Sequence, residues 1–168
     1  MKIQYIVMEK SMKIIVISDS HGNREGIDKI FKFINFDYLI FLGDGLKDLG
    51  DYVYLDNVIA VCGNCDLFSD MPDTRIFNAE GKLILITHGH KFGVKSTLNH
   101  LKEKAKEENC DIALFGHTHV PYIENWHDIY IANPGTFQRK PNNKCSALEI
   151  NIVNGKIDIK PIWIDLSK

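Results

Sequence analysis

No stretch of this 168-residue chain approaches the roughly 20 consecutive apolar residues of a membrane-spanning helix, so no membrane partner is expected. Neither sign of charge dominates. Twenty Lys and Arg stand against 22 Asp and Glu, a formal net charge of −2, and no basic block marks a stable nucleic-acid partner. Cysteine is scarce. Cys62, Cys65, Cys110 and Cys145 are too few and too scattered for a secreted disulfide framework, so the cytoplasm is the expected compartment. Residues 1–11 hold neither the apolar core nor the small-residue cleavage site of a signal peptide. Because Met12 opens MKIIVISDSHGN, residues 1–11 are expected to be an N-terminal extension and residues 12–168 a single domain. Repeats, low-complexity tracts and linkers are also missing. What remains is 45% hydrophobic and 25% charged. At this length a folded domain buries roughly 70% of its unfolded surface, enough core without a stapling disulfide or metal.

Five short apolar runs stand out: Ile14 to Ile17, Leu39 to Leu42, Val58 to Val61, Leu83 to Ile86 and Ile112 to Phe115. Continuous β-branched and aromatic runs bounded by Gly and Asp read as strands buried on both faces. Such strands need covering helices. Ile27, Ile30, Phe31 and Ile34 form one helical stripe, with Asn23 placed as its cap, and Leu98, Leu101 and Ala105 lie on one side of a second helix over 96–108. After residue 120 the pattern becomes that of half-exposed strands at 122–126, 129–132 and 147–153, followed by a hairpin turn at Asn154-Gly155. In the returning strand Ile157 and Ile159 keep one phase, Ile162, Ile164 and Leu166 the other, with Pro161 between, which predicts a bulge or an edge. The expected fold is α/β: two mixed sheets packed face to face and flanked by helices in four αββα layers. Its simplest form has a mainly parallel first sheet leading into an antiparallel C-terminal one.

The loops at the ends of the buried runs carry the chemistry. The first run leads into Ser18-Asp19-Ser20-His21-Gly22, the second into Gly43-Asp44 and the third into Cys62-Gly63-Asn64-Cys65-Asp66. The fourth and fifth lead into Thr87-His88-Gly89-His90 and Gly116-His117-Thr118-His119. Ligands of open α/β sheets bind outside the carboxyl ends of the strands. Asp, Asn and His delivered to one edge by five strands form the ligand set of a first-row divalent metal. One such loop alone could equally be a turn or a cap; five together could not.

The ordered series Asp19-x-His21, Gly43-Asp44, Gly63-Asn64, His88 and Gly116-His117-x-His119 resembles the calcineurin-like metallophosphoesterase superfamily. With Gly-Asn-Cys-Asp, Thr-His-Gly-His and Asn133-Pro134-Gly135-Thr136, the resemblance is nearest to its small, cap-less phosphodiesterases, relatives of the retromer subunit Vps29. It implies a hydrolase with two divalent metal ions, Mn first, with Ni, Fe or Zn as alternatives. One would be held by Asp19, His21 and His119, the other by Asn64, His88 and His117, and the Asp44 carboxylate would bridge. A hydroxide between metals roughly 3.5–4 Å apart would attack phosphorus, and Asp44 and Asn64 would be catalytic. Two divalent cations, two carboxylates and a hydroxide leave one net positive charge to attract a phosphate. The implied substrate is a small or exposed phosphodiester. A homo-oligomer is compatible with this reading.

Cys65 departs from the histidine that many family members carry at this position, where it is thought to protonate the leaving group. A thiol is a weak donor, so His90 becomes a further candidate acid, its alternative being a hydrogen-bonded loop histidine. Asn23 and Asn64 are the candidate substrate contacts, although Asn23 is also explained as a cap. Two other functions compete. A non-catalytic protein-binding scaffold, as Vps29 is, would show eroded ligand positions; a redox protein would use Cys62-x-x-Cys65.

Overall fold

Alternation within the buried runs dictates how they stack. In β1 (Ser11–Ile17), Ile14 and Val16 pack with one hydrophobic group and Ile15 and Ile17 with another, all four inaccessible to solvent. The computed structural model describes residues 11–167, and in it the first face meets a second sheet while the opposite face meets helices. One sheet runs β10 (Lys156–Asp165), β9 (Lys144–Val153), β1, β2 (Tyr38–Phe41), β3 (Val58–Ala60). The other runs β4 (Thr74–Ala79), β5 (Lys82–Thr87), β6 (Ile112–Leu114), β8 (Ile129–Pro134), β7 (Pro121–Trp126). Between the sheets Ile14, Val16 and Ile40 pack with Ile84, Ile86 and Leu114.

Each outer face receives a helix. Ile27 and Ile30 of α1 (Arg24–Phe33) are buried against Ile15, Ile17 and Phe41, and Asn23 Oδ1 caps the helix by accepting the Gly26 N–H at 3.1 Å. On the second sheet Leu101 and Ala105 of α3 (Asn99–Glu107) cover Leu85 and Ala113. A short α2 (Leu46–Leu49) follows β2. The four layers are those expected, and no helix among the described residues is long and apolar enough to cross a membrane.

The division of strands between sheets differs from the simplest reading. Neither sheet is purely parallel or antiparallel: β1, β2 and β3 are mutually parallel, as are β5, β6 and β8, and antiparallel strands flank both sets. The hairpin β9–β10 returns to the first sheet, because β9 pairs with β1. There is no bulge at Pro161: pairing with β9 runs unbroken from Lys156↔Val153 to Asp165↔Lys144. The apolar phase shifts because Ile157 and Ile159 pack toward the sheet-on-sheet core and Ile162 and Ile164 toward α1. Pro161 is tolerated because β10 is an edge strand. Residues 1–10 of the expected extension lie outside the described residues, while Ser11 pairs with Val153 as the first residue of β1.

Across β9, Glu149 joins Lys13 at 2.9 Å and Lys160 at 2.7 Å. The Lys160 bond outweighs the cost of burial and holds the Glu149 carboxyl at about 2, against 4.5 for the free side chain. Stability from this depressed group is complete above pH 4.5 and is lost as pH falls toward 2. Partly exposed pairs contribute little, so the loss should be about 1 kcal/mol. Urea unfolding across this range should show it in the wild type and not in Glu149→Gln; parallel profiles for the two would contradict the assignment.

Candidate metal centre

Five of the parallel strands, β1, β2, β3, β5 and β6, end in loops that bring a polar side chain to the same point. Asp19, His21, Asp44, His117 and His119 all have positive φ, between 41° and 66°. Asp and His tolerate this region better than most residues, yet each costs on the order of 1 kcal/mol or more. Gly63 and Gly116 allow the strand ends to meet. A Cβ at Gly63 would lie 2.1 Å from Asp44 Oδ1, and one at Gly116 would lie 2.0 Å from Ser18 Oγ.

Two groups of ligand atoms result, each within 4.8 Å: Asp19, His21 and His119, and Asp44, His88 and His117. In the first, His119 Nε2 is 3.0 Å and His21 Nε2 3.7 Å from Asp19 Oδ1. Asp19 is fully buried; its Oδ2 accepts from Ser18 Oγ at 2.5 Å and the His117 N–H at 3.1 Å, while Oδ1 receives no hydrogen bond. In the second, His88 Nδ1 lies 2.8 Å from the Leu42 carbonyl, an acceptor only, so Nδ1 carries the proton and the Nε2 lone pair faces inward. Around that lone pair lie Asn64 Oδ1 and His117 Nδ1, each at 3.2 Å, and Asp44 Oδ2 at 3.3 Å. Four acceptor-capable atoms converge with few protons to share, a donor set that fits divalent cations. The electrostatics agree. Burial works against charge on Asp44, but the neighbouring His88, whose protonated form would attract the carboxylate, and the Cys65 N–H at 2.7 Å outweigh it and hold the carboxyl well below the usual range. Burial likewise opposes a charge on His88, yet Asp44 and Asp19 pull its pKa up: the field at this point favours a positive charge.

Residues 12–158 match the family model of the calcineurin-like phosphoesterase superfamily domain. The chain belongs to this superfamily. It is similar to a probable metallophosphoesterase, YsnB, of Bacillus subtilis, 34% identical over 129 residues that make up 76% of each chain. It is also similar to phosphodiesterase YfcE of Escherichia coli, 28% identical over 154 residues, 74% of this chain and 79% of that one. Among solved structures, a conserved Streptococcus pneumoniae protein described as a predicted phosphoesterase superposes with a TM-score of 0.78 at 25% identity. The match covers 94% of this chain and 91% of that one.

Within this superfamily fold, the seven expected ligand side chains are brought together, but Asn23 is not among them. It is buried as the cap of α1, and its Nδ2 donates to the Phe137 carbonyl at 2.7 Å and to Cys145 Sγ, so no polar group is left for a substrate. Cys65 lines the cleft beside His21, its thiol pushed up by a hydrogen bond to Asp44 and by burial. Burial raises Cys62 as well, opposite to the lowered thiol of a redox dithiol. His90 sits 5.5 Å ring to ring from His88; burial and that neighbour lower its pKa, and its buried Nδ1 has no partner.

Sequence reasoning missed the carboxylates behind the ligands. Asp66 accepts four backbone N–H groups, from Asp44 at 2.7 Å and from Gly45, Leu46 and Gly63 at 2.8 Å each, tying the second strand-end loop to the third. Asp48 of α2 accepts from Ser20 Oγ at 2.6 Å and the Gly22 N–H at 2.7 Å, on either side of His21. Asn133 Nδ2 donates to the Gly116 carbonyl and to Thr118 Oγ1, and Thr136 Oγ1 to the Asp19 carbonyl, which fixes the last loop against the first. The signal was an Asp three residues after Gly63, the spacing of a side chain that closes its own turn. Asp66→Asn replaces one acceptor oxygen by a donor facing N–H groups. It should weaken divalent-metal binding about 10–100-fold with the fold retained, measured by Mn²⁺ titration and circular dichroism. Unaltered affinity would show that Asp66 does not position Asp44.

Proposed function

We propose that this chain is a metal-dependent phosphodiesterase, a hydrolase whose two cations would be held by Asp19, His21 and His119 and by Asn64, His88 and His117, with the Asp44 carboxylate available to both. The supporting observation is the convergence of two nearly solvent-free carboxylates and a tautomer-fixed His88 on the strand ends. Divalent cations supply Lewis acidity toward water and a phosphoryl oxygen. The side chains supply position. Asp19 and Asp44 hold negative charge in place, His88 presents a lone pair set by Leu42, and Asn64 adds a neutral oxygen while its Nδ2 can donate to a phosphoryl oxygen. Manganese is the first choice, and Ni, Fe or Zn suit the same nitrogen and oxygen donors.

No strong acid stands ready for the leaving group, since the Cys65 thiol is a weak donor raised further by Asp44. That favours diesters whose leaving groups need little protonation. An open cleft of about 570 Å³ beside His21 and Cys65 suits a small or exposed phosphodiester. Four free cysteines support residence in the cytoplasm. A scaffold of the Vps29 kind has no use for five ligand residues held in strained backbone so that their ligand atoms converge, and no ligand type is eroded here.

Protein stripped with chelator and reloaded with Mn²⁺ should carry about two ions per chain and hydrolyse bis-p-nitrophenyl phosphate. Asp44→Asn should lower kcat/KM on the order of 100-fold or more with its circular dichroism unchanged. Equal rates in wild type and variant, or protein that takes up no metal, would overturn the proposal.

A further inference from the structure

The cleft that begins at the metal centre continues beyond it. Its first part is lined by His21, Cys65 and Leu67; a second space of about 510 Å³ shares the wall of Leu46, Lys47 and Ser69 and reaches Tyr54. Large apolar side chains stand unburied along this path. Leu67 is 75% exposed and Tyr54 82%, while Phe68, between the two lining residues Leu67 and Ser69, is fully exposed at φ 61°. A phenylalanine in the left-handed region bears a conformational cost that no burial within the chain offsets. Lys47, on the wall common to both spaces, is exposed and has no carboxylate partner among the described residues. The one carboxylate of the first space, Asp66, is taken up by four backbone N–H groups.

We infer that this groove is a subsite for one ester arm of the phosphodiester and that the arm is an aromatic ring. The inference rests on the proposed function for the position of phosphorus: an arm joined through one oxygen must leave the metal centre within a few bonds, and the groove opens there, at His21 and Cys65. Leu67 offers the ring an aliphatic face. Lys47, on the wall of both spaces, can bring its ammonium to the ring's π-face, an attraction that a saturated ring lacks. A polyol arm could reach Lys47, Ser69 and Asp70 but would gain nothing from the apolar walls of Leu46 and Leu67, which an aromatic ring covers.

The test uses p-nitrophenyl phosphodiesters with one common leaving group and a phenyl, cyclohexyl or methyl second arm, on the Mn²⁺-loaded full chain. KM should rise about tenfold from phenyl to methyl, with cyclohexyl between. Leu67→Ser should collapse the phenyl-to-methyl ratio, and Lys47→Met should bring phenyl and cyclohexyl together. A KM independent of the arm, or variants that shift all three esters equally, would overturn the inference while leaving metal-dependent hydrolysis intact. Binding without turnover separates the two readings. Diphenyl phosphate should bind more tightly than dimethyl phosphate, with amide shifts at residues 46–47 and 67–69. That preference in protein that hydrolyses none of the esters would uphold the groove and refute the hydrolase, whereas equal binding of the two would refute the groove.

Discussion

Removing an ionised carboxylate from water is costly unless something else holds the charge, and this fold does so twice at one edge. Asp19 is fully buried and Asp44 nearly so. Hydrogen bonds satisfy part of each: Ser18 and the His117 N–H on Asp19, the Cys65 N–H on Asp44. Asp44 Oδ2 lies beside the His88 imidazole, and Asp19 Oδ1, beside His119, has no hydrogen bond at all. The demand for positive charge explains the rest of the local structure. Two parallel strand sets end at one edge, glycines let those ends touch, and five ligand residues accept left-handed backbone to reach it.

Holding strained turns in register needs a frame, and the frame is made of side chains that never meet the ligand point. Asp66 binds the loops after β2 and β3 into one unit through four N–H groups. Asp48 does the same around His21, and Asn133 and Thr136 close the circle from β8. Preorganisation of this kind allows a small domain to offer fixed geometry without a cap.

The layers and the ligand loops were legible in the sequence because their signals are strong and local. Runs such as Ile14 to Ile17 admit few readings, and Asp, Asn or His after five such runs is a pattern with a common cause. Pairing was less legible. Nothing local says that β9 will sit beside β1, and β4, with Arg75 and Ile76 exposed at a sheet edge, lacks the alternation of a half-buried strand. The phase change at Pro161 left a bulge or an edge open; the edge is what is found, and one sequence cannot show that the two halves of β10 serve different layers. Asp48 and Asp66 were hidden because a carboxylate that accepts backbone N–H groups looks, in sequence, like any turn residue. Asn23 carried both readings, and the pairing of its side chain with Gly26, Phe137 and Cys145 leaves only the cap.

Two distinct cation sites at this edge are the core of the account, and anomalous diffraction from crystals soaked in Mn²⁺ tests them most directly. The account predicts two peaks, one within ligand distance of Asp19, His21 and His119 and the other of Asn64, His88 and His117, with the Asp44 carboxylate reaching both. A single peak outside these residues, or none at saturating metal, would contradict it.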